Sequence, residues 1–163
     1  MSEFVDFVEE LVHDRLKEID VGMVGRIESF DKEKMRADVT PLLKKKSGDK
    51  DIEYAMLSDV PVNFLISGDF FIRPDYQQGD LVHISFATHA LEDALKGRVG
   101  LASERIFTSE NAFIVGGVAK TDWSAPSVFS EAGLLLGHKS GNPLIKITEN
   151  EVNINDGALV ISK

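Results

Sequence analysis

The stretch PVNFLISGDFFIRPDYQQGDLVHISF, residues Pro61 to Phe86, decides the fold. It reads as strand, turn, extended segment, turn and strand. Ser67-Gly68-Asp69 is the first turn, Pro74 to Gly79 is a loop, and Leu81 to Phe86 is a buried strand. Glycine adopts turn dihedrals without strain, so Gly79-Asp80 marks where the loop ends and the apolar strand begins.

Upstream, Gly22 to Phe30 predicts a strand with Val24, Ile27 and Phe30 apolar. Asp31 to Lys34 is a polar hairpin turn. Met35 to Leu43 returns, with Met35, Ala37, Val39 and Pro41 alternating against Arg36, Asp38 and Thr40. Lys44 to Asp51 reads as a lysine-rich loop, Ile52 to Leu57 as a third strand and Val60 to Ile66 as a fourth. Downstream, His89 to Lys96 predicts a short helical turn ended by Gly97, and Glu110 to Ala119 a short apolar element. Short antiparallel strands with a helical insert suit a five-stranded barrel of the oligonucleotide/oligosaccharide-binding (OB) type over residues 21–120.

Residues 1–20 predict an amphipathic helix. Phe4, Phe7, Val8, Leu11, Val12, Leu16 and Ile19 recur at spacings of three and four from Ser2 to Ile19. The stripe packs either on its own domain or on a neighbouring subunit or ring protein, which makes Phe4, Phe7 and Leu11 candidate interface residues.

Residues 121–130 are small and polar and read as a linker, with Trp123 as a candidate interface anchor. Residues 131–163 then hold four short apolar strands: Gly133 to Gly137, Leu144 to Thr148, Glu151 to Asn155 and Ala158 to Ser162. A sheet this thin is marginal alone. Its aliphatic face needs a partner, and the same tail from other copies is the simplest one. The expected shared core is Leu134, Leu136, Ile145, Ile147, Val152, Ile154 and Val160. The fold class is thus mainly β: N-terminal helix, OB-like barrel, and an intertwined trimeric β-helix or β-prism. The competing expectation folds the tail back on its own barrel.

Composition narrows the function. The chain is 43% hydrophobic with a formal charge of −9 and no cysteine. The charge opposes binding to a nucleic-acid backbone, which rests on releasing counterions with Lys and Arg. The absence of cysteine removes disulfides, thiolate zinc sites and thiol nucleophiles. No run approaches the ~20 apolar residues of a membrane-spanning helix, and the acidic N-terminus does not read as a signal peptide.

The combination of Pro61-Val62, then Pro74, Gly79-Asp80 and Phe86, then Asn111-Ala112-Phe113 with Gly117, resembles the central spike proteins of contractile-tail phages and related injection systems. The resemblance covers about Val21 to Lys163. It implies a homotrimer on the baseplate hub, closing the tail tube and piercing or contacting the host outer membrane on contraction. It places the protein in the virion tail baseplate, after synthesis in the host cytoplasm. Many such spikes carry a His-x-His pair near the apex that binds iron. Here His138 stands alone, with no histidine beyond it. No tip metal and no cofactor are therefore expected, and a separate tip protein becomes plausible.

No catalytic constellation emerges. His83 opposes the apolar side chains of its strand. His89, Glu92 and Asp93 fit an ordinary polar helical face, and His13 sits on the polar side of the first helix. There is no His-Glu-x-x-His, Gly-x-Ser-x-Gly or P-loop pattern. The expectation is a structural protein and not an enzyme. The alternative is a monomeric OB module for an oligonucleotide or glycan, with aromatics from Phe64, Phe70, Phe71, Tyr76 and Phe86.

Overall fold

The computed structural model describes residues 2–17, 21–47, 50–89, 91–100, 108–130, 133–138, 140, 143–155 and 159–162. In chain order they form α1 (Ser2–Lys17), β1 (Gly22–Asp31), β2 (Arg36–Pro41), β3 (Lys44–Ser47), β4 (Lys50–Glu53), β5 (Leu57–Pro61), β6 (Leu65–Ser67), β7 (Phe70–Ile72), β8 (Leu81–Phe86), α2 (Glu92–Leu95), β9 (Ala112–Val118), β10 (Leu134–Gly137), β11 (Leu144–Ile147), β12 (Glu151–Ile154) and β13 (Leu159–Ser162). The chain divides into two compact units, Met1–Ala119 and Lys120–Lys163.

The first unit is a curled five-stranded sheet, a half-barrel, in the order β5-β2-β1-β8-β9. All four pairings are antiparallel. The two edges meet at one end, where Val62 bridges Ile114 in parallel and the Asn63 N–H donates to the Ile114 carbonyl at 2.8 Å. Ile27, Val39, Val82, Ile84 and Ile114 are fully buried inside the curl. Each belongs to an alternating row, which is why one face of each strand fills the interior.

Asp38 ties three strands together where the registers slip. β1 bulges between Ile27 and Ser29, and β2 between Ala37 and Val39. One Asp38 carboxylate oxygen accepts from the Ser29 hydroxyl at 2.8 Å, and the other accepts the Asp59 N–H at 3.0 Å. Asp59 is left-handed (φ 55°), and its carbonyl accepts from Arg36 Nη1 at 2.9 Å. The Asp59 and Ser29 hydrogen bonds hold the Asp38 carboxyl below its ordinary range.

Several expectations are corrected here. Lys44 to Asp51 is not a loop: β3 and β4 pair as a hairpin, with Lys44 and Glu53 at 3.3 Å. Backbone pairing needs no apolar alternation, so a charged hairpin leaves little trace in hydropathy. The strands expected at Ile52 to Leu57 and Val60 to Ile66 resolve into β4, β5 and β6. Met23, Gly25 and Ile27 form the inner face of β1, and Val24 is exposed. The turn at Asp31 forms as expected, its carboxylate accepting the N–H groups of Glu33 and Lys34. Ile19, Gly141, Asn142, Asp156 and Gly157 lie outside the described residues.

The second unit contains a four-stranded antiparallel meander, β10-β11-β12-β13, within one chain. Its strands coincide with the expected ones to within a residue or two. Residues 121–130 belong to this unit, with a 3-10 turn at Ser127–Ser130.

Candidate functional site

The tail sheet concentrates aliphatic side chains on one face. Leu134 lies opposite Ile147, Ile147 opposite Val152, and Val152 opposite Ile161. A second row runs Leu136, Ile145, Ile154 and Leu159. Directly opposed residues share a face, and residues two apart on a strand do too. Leu134, Leu136, Ile145, Ile147, Val152, Ile154 and Leu159 therefore form one continuous apolar patch, with Ile161 at the matching register position. Within the single chain it is incompletely covered: Leu134, Leu136, Ile145, Ile147 and Leu159 are 38% to 60% exposed.

The register places six of the seven expected core residues in these two rows. Val160 pairs with Asn153, which pairs with Lys146, and so falls in a different row. Leu159 and Ile161 take its position. The run Leu159-Val160-Ile161 is apolar at every residue, so only the register distinguishes its faces. Asn155, left-handed at φ 51°, ends β12, and its side-chain oxygen accepts the Leu144 N–H at 3.0 Å.

Leu144 is 6% exposed and marks the covered side of the sheet. Trp123 and Phe129 lie with ring centroids 5.5 Å apart, and with Pro126, Leu135, His138 and Leu144 they line a cavity of about 190 Å³. Trp123 thus packs within its own unit while staying 37% exposed. The Ser140 N–H donates to His138 Nδ1 at 3.2 Å, which ties the imidazole into the β10–β11 turn.

Phe4, Phe7 and Leu11 of α1 are all more than half exposed. The β6–β7 hairpin, whose Phe70 and Phe71 the sequence offers as aromatics of a ligand-binding face, exposes Leu65, Ile66, Phe70, Phe71 and Ile72 as well. Among the described residues none of these side chains joins the buried core of the curl.

His13, His83 and His89 are exposed on three separate elements or loops. Glu92 pairs with Lys96 at 2.6 Å, which lowers the Glu92 pKa and raises that of Lys96. Among the described residues no group of three or more His, Asp or Glu side chains could hold a metal ion. No described helix is long and apolar enough to cross a membrane.

Comparison with curated proteins gives no match. Comparison with protein families gives one: the phage protein Gp138 N-terminal domain, over residues 23–117. The matched stretch runs from Met23 on β1 to Gly117 on β9, and so spans the whole curled sheet. It covers 95 of 163 residues (117 − 23 + 1), and the chain belongs to the phage protein Gp138 N-terminal domain family.

Proposed function

We propose that the chain is the central spike of a contractile phage tail or related injection system. The family membership supports a phage structural protein associated with the virion. The observation that carries the finer reading is the two-row aliphatic face of the tail sheet, left partly bare in a single chain. Fully burying an aliphatic side chain is worth about 1.5–3 kcal/mol. These are already half covered, so roughly 1 kcal/mol each remains to be gained on association.

Three copies bring three such faces together as a prism with a dry interior. The half-barrels, whose strand order and parallel seam support an OB-type fold, mount the spike on the baseplate hub. The role is mechanical: the spike closes the tail tube and contacts or pierces the host outer membrane on contraction, alone or with a separate tip protein. It requires no catalytic group, metal or cofactor. The net charge of −9 and the scatter of exposed aromatics speak against the nucleic-acid-binding alternative.

Immunogold labelling of intact phage particles tests the location. Label confined to the tail axis at the baseplate end supports the proposal. Label on the head or along the sheath refutes it.

A further inference from the structure

Two apolar surfaces of the first unit stand exposed among the described residues. One is the α1 stripe, where Phe4 is 73% and Phe7 61% exposed. The other is the β6–β7 hairpin, where Phe70 is 81% and Phe71 65% exposed. In the hairpin Leu65 pairs with Ile72, Ile66 with Phe71 and Ser67 with Phe70. Leu65, Phe70 and Ile72 therefore stand on one side of the ribbon, and Ile66 and Phe71 on the other. Two-stranded ribbons are marginal in water, and one that is apolar on both sides is not satisfied by lying flat on its own barrel. Its paired strands carry no charge, and Asp69 lies in the turn. Nothing on the ribbon therefore selects an acidic or basic partner; its complement is another apolar surface.

The area is sufficient. A phenylalanine buries roughly 150–250 Å² in a core. α1 covers one side of the ribbon, so three such rings and about four half-exposed aliphatics remove roughly 600–800 Å² per contact, and three contacts around a closed ring together pass the ~1,000 Å² at which an interface becomes specific.

We propose that, in the assembly of identical chains, α1 of each copy lies across the β6–β7 hairpin of the next. Such a head-to-tail contact joins two different patches of one chain. Repeated around a rotation axis, it gives the α1 stripe and one side of the ribbon a partner in every copy. The inference rests on the homo-oligomeric reading of the tail, and the contact is a weaker second one that reinforces the trimer the tail core forms.

Cysteine crosslinking of the full chain tests it. The chain has no cysteine, so a Phe7→Cys/Phe71→Cys variant carries the only thiols. A disulfide forms only when the two Cβ atoms approach to about 4 Å. Pairs Phe4→Cys/Ile66→Cys and Leu11→Cys/Phe71→Cys guard against one ill-placed pair. Light scattering before oxidation establishes the oligomer, and a denaturing gel after oxidation reads the link. The expected result is dimer and closed-trimer bands replacing most of the monomer for at least one pair. Trimeric particles that give no interchain band with any pair overturn the proposal and leave the tail trimer standing. Monomeric wild-type protein overturns both. Flotation of the full chain with phosphatidylethanolamine/phosphatidylglycerol vesicles, abolished by Phe70→Ser/Phe71→Ser, assigns the hairpin to a lipid surface and also overturns the proposal.

Discussion

Ile145 on β11 lies directly opposite Ile154 on β12, in the middle of an aliphatic row that crosses the tail sheet from Leu136 to Leu159. The pair sits where a second surface must arrive. A second row, through Ile147 and Val152, shares the same face, and a charge placed in either row enters the shared interior once per copy. Ile147→Asp and Ile154→Asp should therefore abolish the trimer, since several unpaired carboxylates close to one axis cost several kcal/mol. Asn153→Asp, on the opposite face of the sheet and directly opposite Lys146, should leave it intact. Size-exclusion chromatography with light scattering separates these outcomes. A normal trimer from either isoleucine variant contradicts the assignment of the face.

Gly25 tests the interior of the curl. A Cβ at this position would lie 2.5 Å from both Ile84 Cδ1 and Val39 Cγ1, two fully buried side chains. Gly25→Ala should cost about 1–3 kcal/mol through overpacking. That corresponds to a fall of roughly 4–8 °C in Tm for each kcal/mol in a domain of this size. Gly116→Ala, where an added Cβ meets nothing within 4 Å, should shift Tm by no more than about 2–4 °C. Thermal unfolding of the two variants gives the comparison.

Asp38 sets an acid limit on the same sheet. Its folded pKa lies below the ordinary value of 3.8, held there by the Asp59 N–H and the Ser29 hydroxyl. The unfolded chain then binds the proton more readily than the folded one. The stabilisation is complete above the unfolded pKa near 3.8 and is lost as pH falls from there through the lower folded value. Glu28, Asp31, Asp75 and Glu92 are lowered as well and act in the same direction. Urea midpoints should fall on acidification below about pH 4. Asp38→Ala should cost about 0.5–1.5 kcal/mol at neutral pH and flatten part of that acid slope. An unchanged slope would remove Asp38 from the account.

Where the chain alternates between strong turn signals, its sequence is readable. Leu81 to Phe86 follows Gly79-Asp80 and forms β8 with the expected bounds, and the four tail strands fall within a residue of theirs. Ala37, Val39 and Pro41 face inward because their neighbours are charged or polar. Legibility fails where hydropathy carries no period. Lys44 to Asp51 hides a hairpin made by backbone pairing, and Leu159-Val160-Ile161 gives no face until Asn155 ends β12 and the register is set. Phe70, Phe71 and Ile72 are apolar at every residue, and such a run does not reveal whether it is buried or exposed.

Solution mass by light scattering tests the central claim most directly, on the full chain and on a version ending at Ala119. The account predicts a full-length particle of about three times the 18.0 kDa chain mass, and a truncated form that is monomeric or only weakly associated at low concentration. A full-length chain that stays at 18.0 kDa across a wide concentration range would contradict it: the tail face would then be tolerated bare, and the spike reading would fall.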